Sequence, residues 1–422
     1  MIQNKYDIII VGGGTAGVSC AWNSAKLGLK TLLIEKNSFL GGAITSSLVI
    51  PAMKTSKNSI NNDFFNEFYQ NLEEKNGAIT YIDGNRGWFN PEITKIVLDE
   101  MLTNANVDIL FETEVRNIIK KDKTLLVYIE PLNDNNNSCL SSEILSHPIE
   151  TIYLVDATGD AKICQKLNCK FLEKNKNEIQ PSSLRFIMNG VDRKAFGEWL
   201  LDFDTDRNVS TAAVIDGYTH FSTAYTWDNN VNWALKPLFA EAIANGDLKE
   251  IDTNYFQIFS VAGTADAVAF NCPRIINNPQ NPYIEARSAI YRLSNFCKKY
   301  LPGFNNSYIS NIANSLGIRV SNLVEGKYIY TYNDLINGKA FDNPVLISNY
   351  PVDIHSEKKD TSTLKPVYKE YQLPLESLCV KDFDNLFVVG RCISAEFKAQ
   401  AALRIIPSCF SMGEGLAKYL AK

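Results

Sequence analysis

The chain opens on an apolar run from Ile8 to Val11, then glycines at 12, 14 and 17, then apolar positions at helical spacing, then a second apolar run from Thr31 to Ile34. Short apolar runs bounded by turn signals read as buried strands, and their alternation with a helical stretch predicts a parallel βαβ unit. Residues 59 to 76 place Phe64, Phe65, Phe68, Tyr69 and Leu72 at helix spacing, and Pro91 precedes a second amphipathic helix from about Glu92 to Asn104. VDILFETEV (107–115) and LLVYIEPL (125–132) alternate like sheet strands, and the polar run from Asn133 to Ser142 reads as a loop tip between strands. TIYLVDATGDAKICQKLNC (151–169) gives another buried strand, a glycine turn and a helix. From about 171 to 372 the pattern loosens and aromatic residues rise. The last fifty residues return to strand, turn, irregular loop and a helix begun by Pro407 at its first position.

This order predicts an α/β protein whose Rossmann-type domain is assembled from both chain ends, residues 1–170 and 373–422. An α+β substrate or cap domain, 171–372, is inserted between them. The glycines give the first domain its chemistry. Gly12 permits a tight turn out of the strand, Gly14 lets backbone approach a pyrophosphate, and Gly17 lets the helix sit close to the sheet. Thr15 and Ala16 open that helix, whose N-terminus offers N–H groups and partial positive charge to phosphates. Glu35 lies 18 residues past Gly17, where a carboxylate accepts from both hydroxyls of an adenosine ribose and repels a 2′-phosphate; Lys36 follows it.

Composition narrows the classes. The chain has 422 residues, 45% of them hydrophobic, with a net charge of -5, which leaves no electrostatic footprint for nucleic acid. No apolar run approaches membrane-spanning length, and the N-terminal apolar stretch reads as the first strand and not as a signal peptide. Nine scattered cysteines without a CxxC pair suit a reducing cytoplasm and offer neither a zinc site nor a disulfide relay. Three histidines exclude a histidine-rich metal site.

Five stretches, VGGGTAGVSCAW, FNPEITKIVLDEML, VDATGDA, GIRVS with YPVDIH, and NLFVVGRCISAEFKAQAALRIIPSCFSMGE, resemble the FAD-dependent oxidoreductase family of the glutathione-reductase-like flavoproteins. The resemblance implies FAD in the Rossmann site. It implies that Val115 holds the adenine through its backbone and that Ala157, Thr158 and Gly159 pack against the pyrophosphate and adenosine. Where many relatives have Gly-Asp this chain has Gly390-Arg391, so a guanidinium could reach a phosphate. Leu403 to Pro407, with Ile405 and Ile406, would bring backbone N–H groups to the flavin, and the final helix would stabilise the charge of reduced flavin.

Several side chains carry two readings. Gly41 and Gly42 read as backbone passing the isoalloxazine edge, with Thr45 near N5, or as a simple turn. Asp353 and His355 share a face if extended, so the carboxylate could orient an imidazole for proton transfer; otherwise they form a surface turn. Arg319, and at lower weight Arg274, reads as a cation for a substrate carboxylate or reduced flavin, or as half of a structural salt bridge. Glu396 stands where relatives carry a histidine nearby and could handle the proton instead. Arg404 reaches the flavin or caps a loop. Cys392 reads as a buried thiol or a covalent flavin attachment. Tyr218, His220, Phe221, Tyr225, Trp227 and Trp233 line a substrate pocket or fill the core of the inserted domain.

The leading expectation is an FAD-dependent oxidoreductase moving a hydride between a small organic substrate and flavin N5. Only one dinucleotide fingerprint is present, so electrons pass to or from the substrate and an external acceptor or donor. No membrane or nucleic-acid partner is expected, and a homo-oligomer is compatible with the sequence. The alternatives are a flavin monooxygenase or oxidase in a biosynthetic pathway, and a protein that holds FAD structurally or for RNA modification.

Overall fold

The computed structural model describes residues 2–81, 86–133, 147–175, 178–205, 210–223, 235–275, 280–355 and 363–422. Its first sheet runs, in order, Asp108–Leu110, Thr31–Ile34, Lys5–Val11, Ile149–Asp156, Thr124–Pro131 and Thr113–Lys121. The first four strands are parallel and the last two antiparallel. Ile149–Asp156 forks: Thr151 faces Leu125 of the antiparallel ribbon, while Leu154 and Asp156 face Leu386 and Val388 of the parallel strand Leu386–Val388. A strand from the last forty residues therefore lies beside strands from the first half of the chain.

The apolar runs have the expected cause. Ile8, Ile9 and Ile10 have no exposed surface, because helices cover a parallel sheet and leave its strands buried on both faces. The helix Thr15–Lys26 packs against the final helix, Ile406–Leu420, and Ser19 Oγ donates to the carbonyl of Phe410 at 2.7 Å across that contact. The carboxyl ends of Lys5–Val11, Ile149–Asp156 and Leu386–Val388 open at one sheet edge, the position where ligands meet parallel sheets.

The intervening segment builds a six-stranded antiparallel sheet in the order Ser210–Ile215, Tyr218–Thr223, Ile258–Ser260, Val268–Phe270, Phe186–Asn189, Tyr308–Ile312. Its core is aromatic: Phe186 stacks on Phe270 at 4.2 Å, and Phe196 meets Phe221 and Phe304 edge-on. We call it the cap sheet.

Several boundaries differ from the sequence pattern. The expected helix at 59–76 is Asp63–Glu74, and the helix after Pro91 starts at that proline, with Asn90 capping it. VDILFETEV is two strands, broken where Glu112 adopts a φ of 47°. The irregular loop expected before the final helix contains a helix, Phe397–Leu403, and Pro407 takes the second helical position, not the first. The expected domain limit at 372/373 falls inside the strand Tyr371–Pro374, which pairs back to Pro344–Ser348. Of the loop expected at 133–142, all but Asn133 lies outside the described residues.

Candidate cofactor and substrate site

The glycine turn follows directly from the strand. Gly12 has φ +106°, and a Cβ there would stand 2.5 Å from the carbonyl oxygen of Ala157. At Gly17 a Cβ would lie 1.9 Å from the carbonyl oxygen of Gly12, so the helix reaches the sheet only without a side chain. Gly14 is different. Its φ of −75° suits any residue, and a Cβ would meet nothing nearer than Gly42 Cα at 4.0 Å. That open space lies over the start of the Thr15–Lys26 helix, which no side chain caps. Thr15 is half-buried and Ala16 buried in its first turn.

Glu35 is 5% exposed at the end of the second strand. Its Oε2 accepts from the Gly13 N–H at 2.6 Å, and its Oε1 accepts from the backbone and side-chain N–H of Asn37 at 2.8 and 2.7 Å. An ionised carboxylate offers about four acceptor sites, so one remains for a ribose hydroxyl, where two hydroxyls were expected to bind. Burial pushes the Glu35 carboxyl up, against these hydrogen bonds. Lys36 points to solvent.

Beyond the turn, Ala157 N donates to the Val11 carbonyl at 2.8 Å. Thr158 folds back on Asp156, whose Oδ1 accepts from its N–H and hydroxyl while Oδ2 accepts from the N–H groups of Ile163 and Cys164. Val115 is buried, and the strand register slips immediately after it, between Val115 and Asn117; such a bulge breaks the regular ladder. Gly390 stands 3.5 Å from the Ala16 side chain by its would-be Cβ. Arg391 lies over Gly159 and gives Nη2 to Asp160 Oδ1 at 2.7 Å. Its charge is thus answered within the chain and is not reserved for a phosphate, but its buried Nε has no partner among the described residues.

Gly41 and Gly42 run beside the glycine turn: the Gly41 N–H donates to the Gly13 carbonyl at 2.8 Å, and a Cβ on Gly42 would lie 2.8 Å from Gly14 Cα. Thr45 is buried, and its hydroxyl donates to the Leu40 carbonyl at 2.6 Å. At the other end Ile405 is extended and precedes the final helix with no side-chain cap; Ile405 and Ile406 are both buried.

Next to that helix start, the structure gathers a polar cluster from distant segments. Arg404 Nη2 donates to the Asp353 carbonyl at 2.9 Å and to Asp353 Oδ2 at 3.4 Å. Asp353 Oδ1 stands 3.3 Å from His355 Nε2, and Arg274 Nη2 stands 3.4 Å from His355 Nδ1. A guanidinium only donates, so Nδ1 is the acceptor and the proton sits on Nε2, facing Asp353. Burial, with Arg274 second, lowers the His355 pKa to about 4. Despite the cost of burial, His355 and then Arg404 hold the Asp353 carboxyl well below the usual range. Asp353 and His355 therefore do share one face, but the imidazole is clamped from both sides, not poised with a free nitrogen.

Arg319 is buried without a salt bridge among the described residues: it donates to the Pro181 carbonyl at 2.6 Å and to Ser183 Oγ at 3.2 Å. Arg274 reaches the same hydroxyl at 3.2 Å and lies 3.8 Å above the Tyr255 ring. Three members were not anticipated. Arg185 donates to Asn271 Oδ1 at 2.7 Å; burial, then Arg274, pushes its pKa down to about 9. Gln180 Oε1 accepts from the His355 N–H at 3.1 Å. Tyr255 meets His355 edge-on at 5.7 Å. The available signal was Arg185 itself, a cation between Leu184 and Phe186 in an apolar strand.

Other candidates lie elsewhere. Glu396 is exposed and accepts from the Tyr332 N–H at 2.8 Å, at the start of a short surface helix. The helix Phe397–Leu403 begins just after it, and the Glu396 carboxylate has no bond to the cluster among the described residues. His220 is buried in the cap sheet, 3.0 Å from both Arg193 Nη2 and Ser260 Oγ, and burial lowers its pKa to about 4. Phe221 belongs to the cap core, Tyr218 is exposed, and Tyr225, Trp227 and Trp233 lie outside the described residues. Cys392 has no exposed surface, and burial raises its thiol pKa.

A glycine turn at the head of a parallel sheet, joined by the chain's last helix, defines the dinucleotide-binding flavoprotein class. The sequence model of the FAD dependent oxidoreductase family matches residues 7–421, and the chain belongs to that family. FAD is the cofactor this family uses, and the residues fit it. There is space over Gly14, an acceptor site left on Glu35, uncapped helix starts at Gly14 and Ile405, and, among the described residues, an unpartnered buried donor at Arg391 Nε.

Among curated proteins the chain is 24% identical over 264 residues to the tRNA uridine 5-carboxymethylaminomethyl modification enzyme of a Nitratiruptor species, covering 53% of this chain and 42% of that protein. It is 22% identical over 212 residues to the digeranylgeranylglycerophospholipid reductase of Methanococcus vannielii, covering 47% and 50%. The chain thus spans about half the length of the curated relatives it matches. Among solved structures, a geranylgeranyl bacteriochlorophyll reductase-like protein from Thermoplasma acidophilum is 14% identical, with a TM-score of 0.45, over 99% of this chain and 78% of that one. No helix among the described residues is long and apolar enough to cross a membrane.

Proposed function

We propose that this protein is an FAD-dependent oxidoreductase that moves a hydride between a small organic molecule and its flavin, with a separate electron acceptor or donor, in the cytoplasm. One observation carries the reading: the glycine turn, the Ala157–Gly159 turn and the Gly390–Arg391 turn pack on one another at one sheet edge, and Gln400 Nε2 ties the Arg391 carbonyl to the carbonyl of Arg319 in a polar cluster made largely by the inserted segment. Residues 1–170 and 373–422 then serve the cofactor, and 171–372 serve the substrate.

When bound, FAD supplies the two-electron chemistry. The chain supplies the rest. The helix starting at Gly14 would hold the phosphates and Glu35 would take one ribose hydroxyl, while Val115 and Gly159 would line the adenosine end. The start of the final helix at Ile405 and Ile406, with Arg404 beside it, favours negative charge. Thr45, Gly41 and Gly42 shape the wall opposite.

His355 is neutral, with its Nδ1 lone pair engaged by Arg274. When Arg274 turns to a substrate, Nδ1 is released to take a proton, and Asp353 stabilises the imidazolium that forms. Arg319 fixes Ser183, which in turn fixes Arg274. Glu396 has no part in this.

The test is anaerobic mixing of the purified yellow enzyme with candidate organic reductants while the flavin absorbance is followed. Bleaching with formation of a dehydrogenated product is the expected outcome. No bleaching without oxygen, with a product that carries an oxygen atom from O2 once air is admitted, would replace hydride transfer by monooxygenation.

A further inference from the structure

The buried cluster beside the final helix is unbalanced in charge. Arg185, Arg274, Arg319 and Arg404 are four cations, and among the described residues Asp353 is the one carboxylate bonded to them. Arg185 has an amide and a carbonyl as acceptors, Arg274 a hydroxyl and an imidazole, and Arg319 carbonyls and a hydroxyl. His355 is held neutral and contributes no charge. Buried cations are costly unless an anion answers them.

Two unsatisfied atoms at the His355–Asp353 pair have the matching sign, while the unsatisfied acceptor Gln400 Oε1 belongs to an amide bonded to the carbonyls of Arg319 and Arg391. Gln180 Nε2 and Arg404 Nε are buried and lack a partner among the described residues, and both are donors. Gln180 is 6% exposed, and its Oε1 already faces two donors, the His355 N–H and Arg404 Nη2, so its free N–H groups must face the other way.

The four cations divide by what holds them. Arg185 and Arg319 are tied largely to backbone carbonyls and Asn271, and they set the potential. Arg274 rests on side chains that can yield, Arg404 on the Asp353 carbonyl and carboxylate with its Nε left over, and the two bracket the His355–Asp353 pair.

Building on the oxidoreductase reading above, we propose that the substrate is a small dicarboxylate, held by Arg274, Arg404 and Gln180 beside the final helix. Guanidinium forks match carboxylates in geometry as well as charge. A monoanion would leave two positive charges unmatched. A dianion leaves one, which the negative charge of reduced flavin answers.

The test uses FAD-loaded enzyme titrated with malonate, succinate and glutarate, with their diamides and acetate as controls, read by the flavin absorption band and by melting temperature. At least one dicarboxylate should shift both, at concentrations about tenfold or more below acetate, and the diamides should do nothing. Arg274→Gln should weaken that binding by about 30-fold or more with flavin content unchanged, Arg404→Gln should weaken it as much per flavin bound, and Arg274→Lys, which keeps the charge, should lose less. If Arg274→Gln does not fold, Arg404→Gln and Arg274→Lys still decide. The proposal is overturned if FAD is bound yet no dicarboxylate moves either signal, if diamides bind as well, or if the arginine variants bind as wild type. A protein that takes up no FAD would overturn the oxidoreductase reading instead, and the absent flavin band would tell the two failures apart.

Discussion

The glycine turn and the arginine cluster both hold polar groups away from water, and they handle charge in opposite ways. At the turn the protein uses backbone: helix N–H groups, close packing without side chains, and a single carboxylate largely satisfied by Gly13 and Asn37. At the cluster it buries whole charges, four guanidiniums against one bonded carboxylate among the described residues. Backbone dipoles are fixed by the fold and demand nothing from a ligand, so the turn suits a cofactor that stays. Uncompensated charges favour an anion that arrives, so the cluster suits a molecule that comes and goes.

The sharpest way to break this contrast is at the turn. Gly14→Val should leave the fold intact, since a Cβ there meets nothing within about van der Waals range, yet fill the space over the helix start and abolish FAD retention. Far-UV circular dichroism and flavin content per protein measure the two effects; a folded yellow variant would move the pyrophosphate elsewhere. Gly17→Ala should do the reverse kind of damage. Its Cβ would overlap the Gly12 carbonyl at 1.9 Å, so stability itself falls, by about 1–3 kcal/mol in chemical denaturation.

At the cluster, Asp353→Asn removes the one bonded carboxylate and should cost about 3–5 kcal/mol of stability, read by urea unfolding of the holoenzyme, with FAD still bound. A loss below about 1 kcal/mol would mean that the guanidiniums are answered in some other way.

The histidines give a pH signature. His355 and His220 each have a folded pKa lowered to about 4, below the ordinary histidine value of about 6.5. Between those values the unfolded chain binds protons that the folded chain does not. Stability therefore rises with pH through this window, is complete above it, and is lost on acidification. His355→Gln and His220→Asn should each remove one proton from that slope, measured by denaturation between about pH 4.5 and 6.5. A slope unchanged in both variants would contradict the neutral, clamped imidazoles.

The smallest effect belongs to Glu396→Ala, which removes an acceptor at the Tyr332 helix start. It should cost about 0.5–1 kcal/mol and leave turnover unchanged. Slowed turnover at wild-type stability would return Glu396 to the site.

How much of this was legible follows from how local each feature is. Gly12, Gly14, Gly17 and Glu35 sit within one βαβ unit, where spacing along the chain fixes position in space. The central strands were readable for the same reason, as continuous apolar runs. The cluster draws Gln180 and Arg185 from one stretch and Arg274, Arg319, His355 and Arg404 from four others, and nothing in the spacing of these stretches brings them together. Asp353 and His355 were found as a pair because alternation in a strand is local, but the clamp on His355 comes from Arg274, 81 residues away. Glu396 and Arg391 misled for a common reason: proximity to a turn does not say which way a side chain leaves it. Arg391 turned to Asp160 and Glu396 turned to Tyr332.

The central claim is that the glycine turn and the final helix together hold FAD. Calorimetric titration of flavin-stripped protein with FAD, beside NADP as a control, tests it most directly. The account predicts one FAD bound per chain with recovery of the yellow spectrum and no NADP binding, and loss of FAD binding in Gly14→Val. Failure of folded wild-type protein to bind FAD, or equal binding by Gly14→Val, would contradict it.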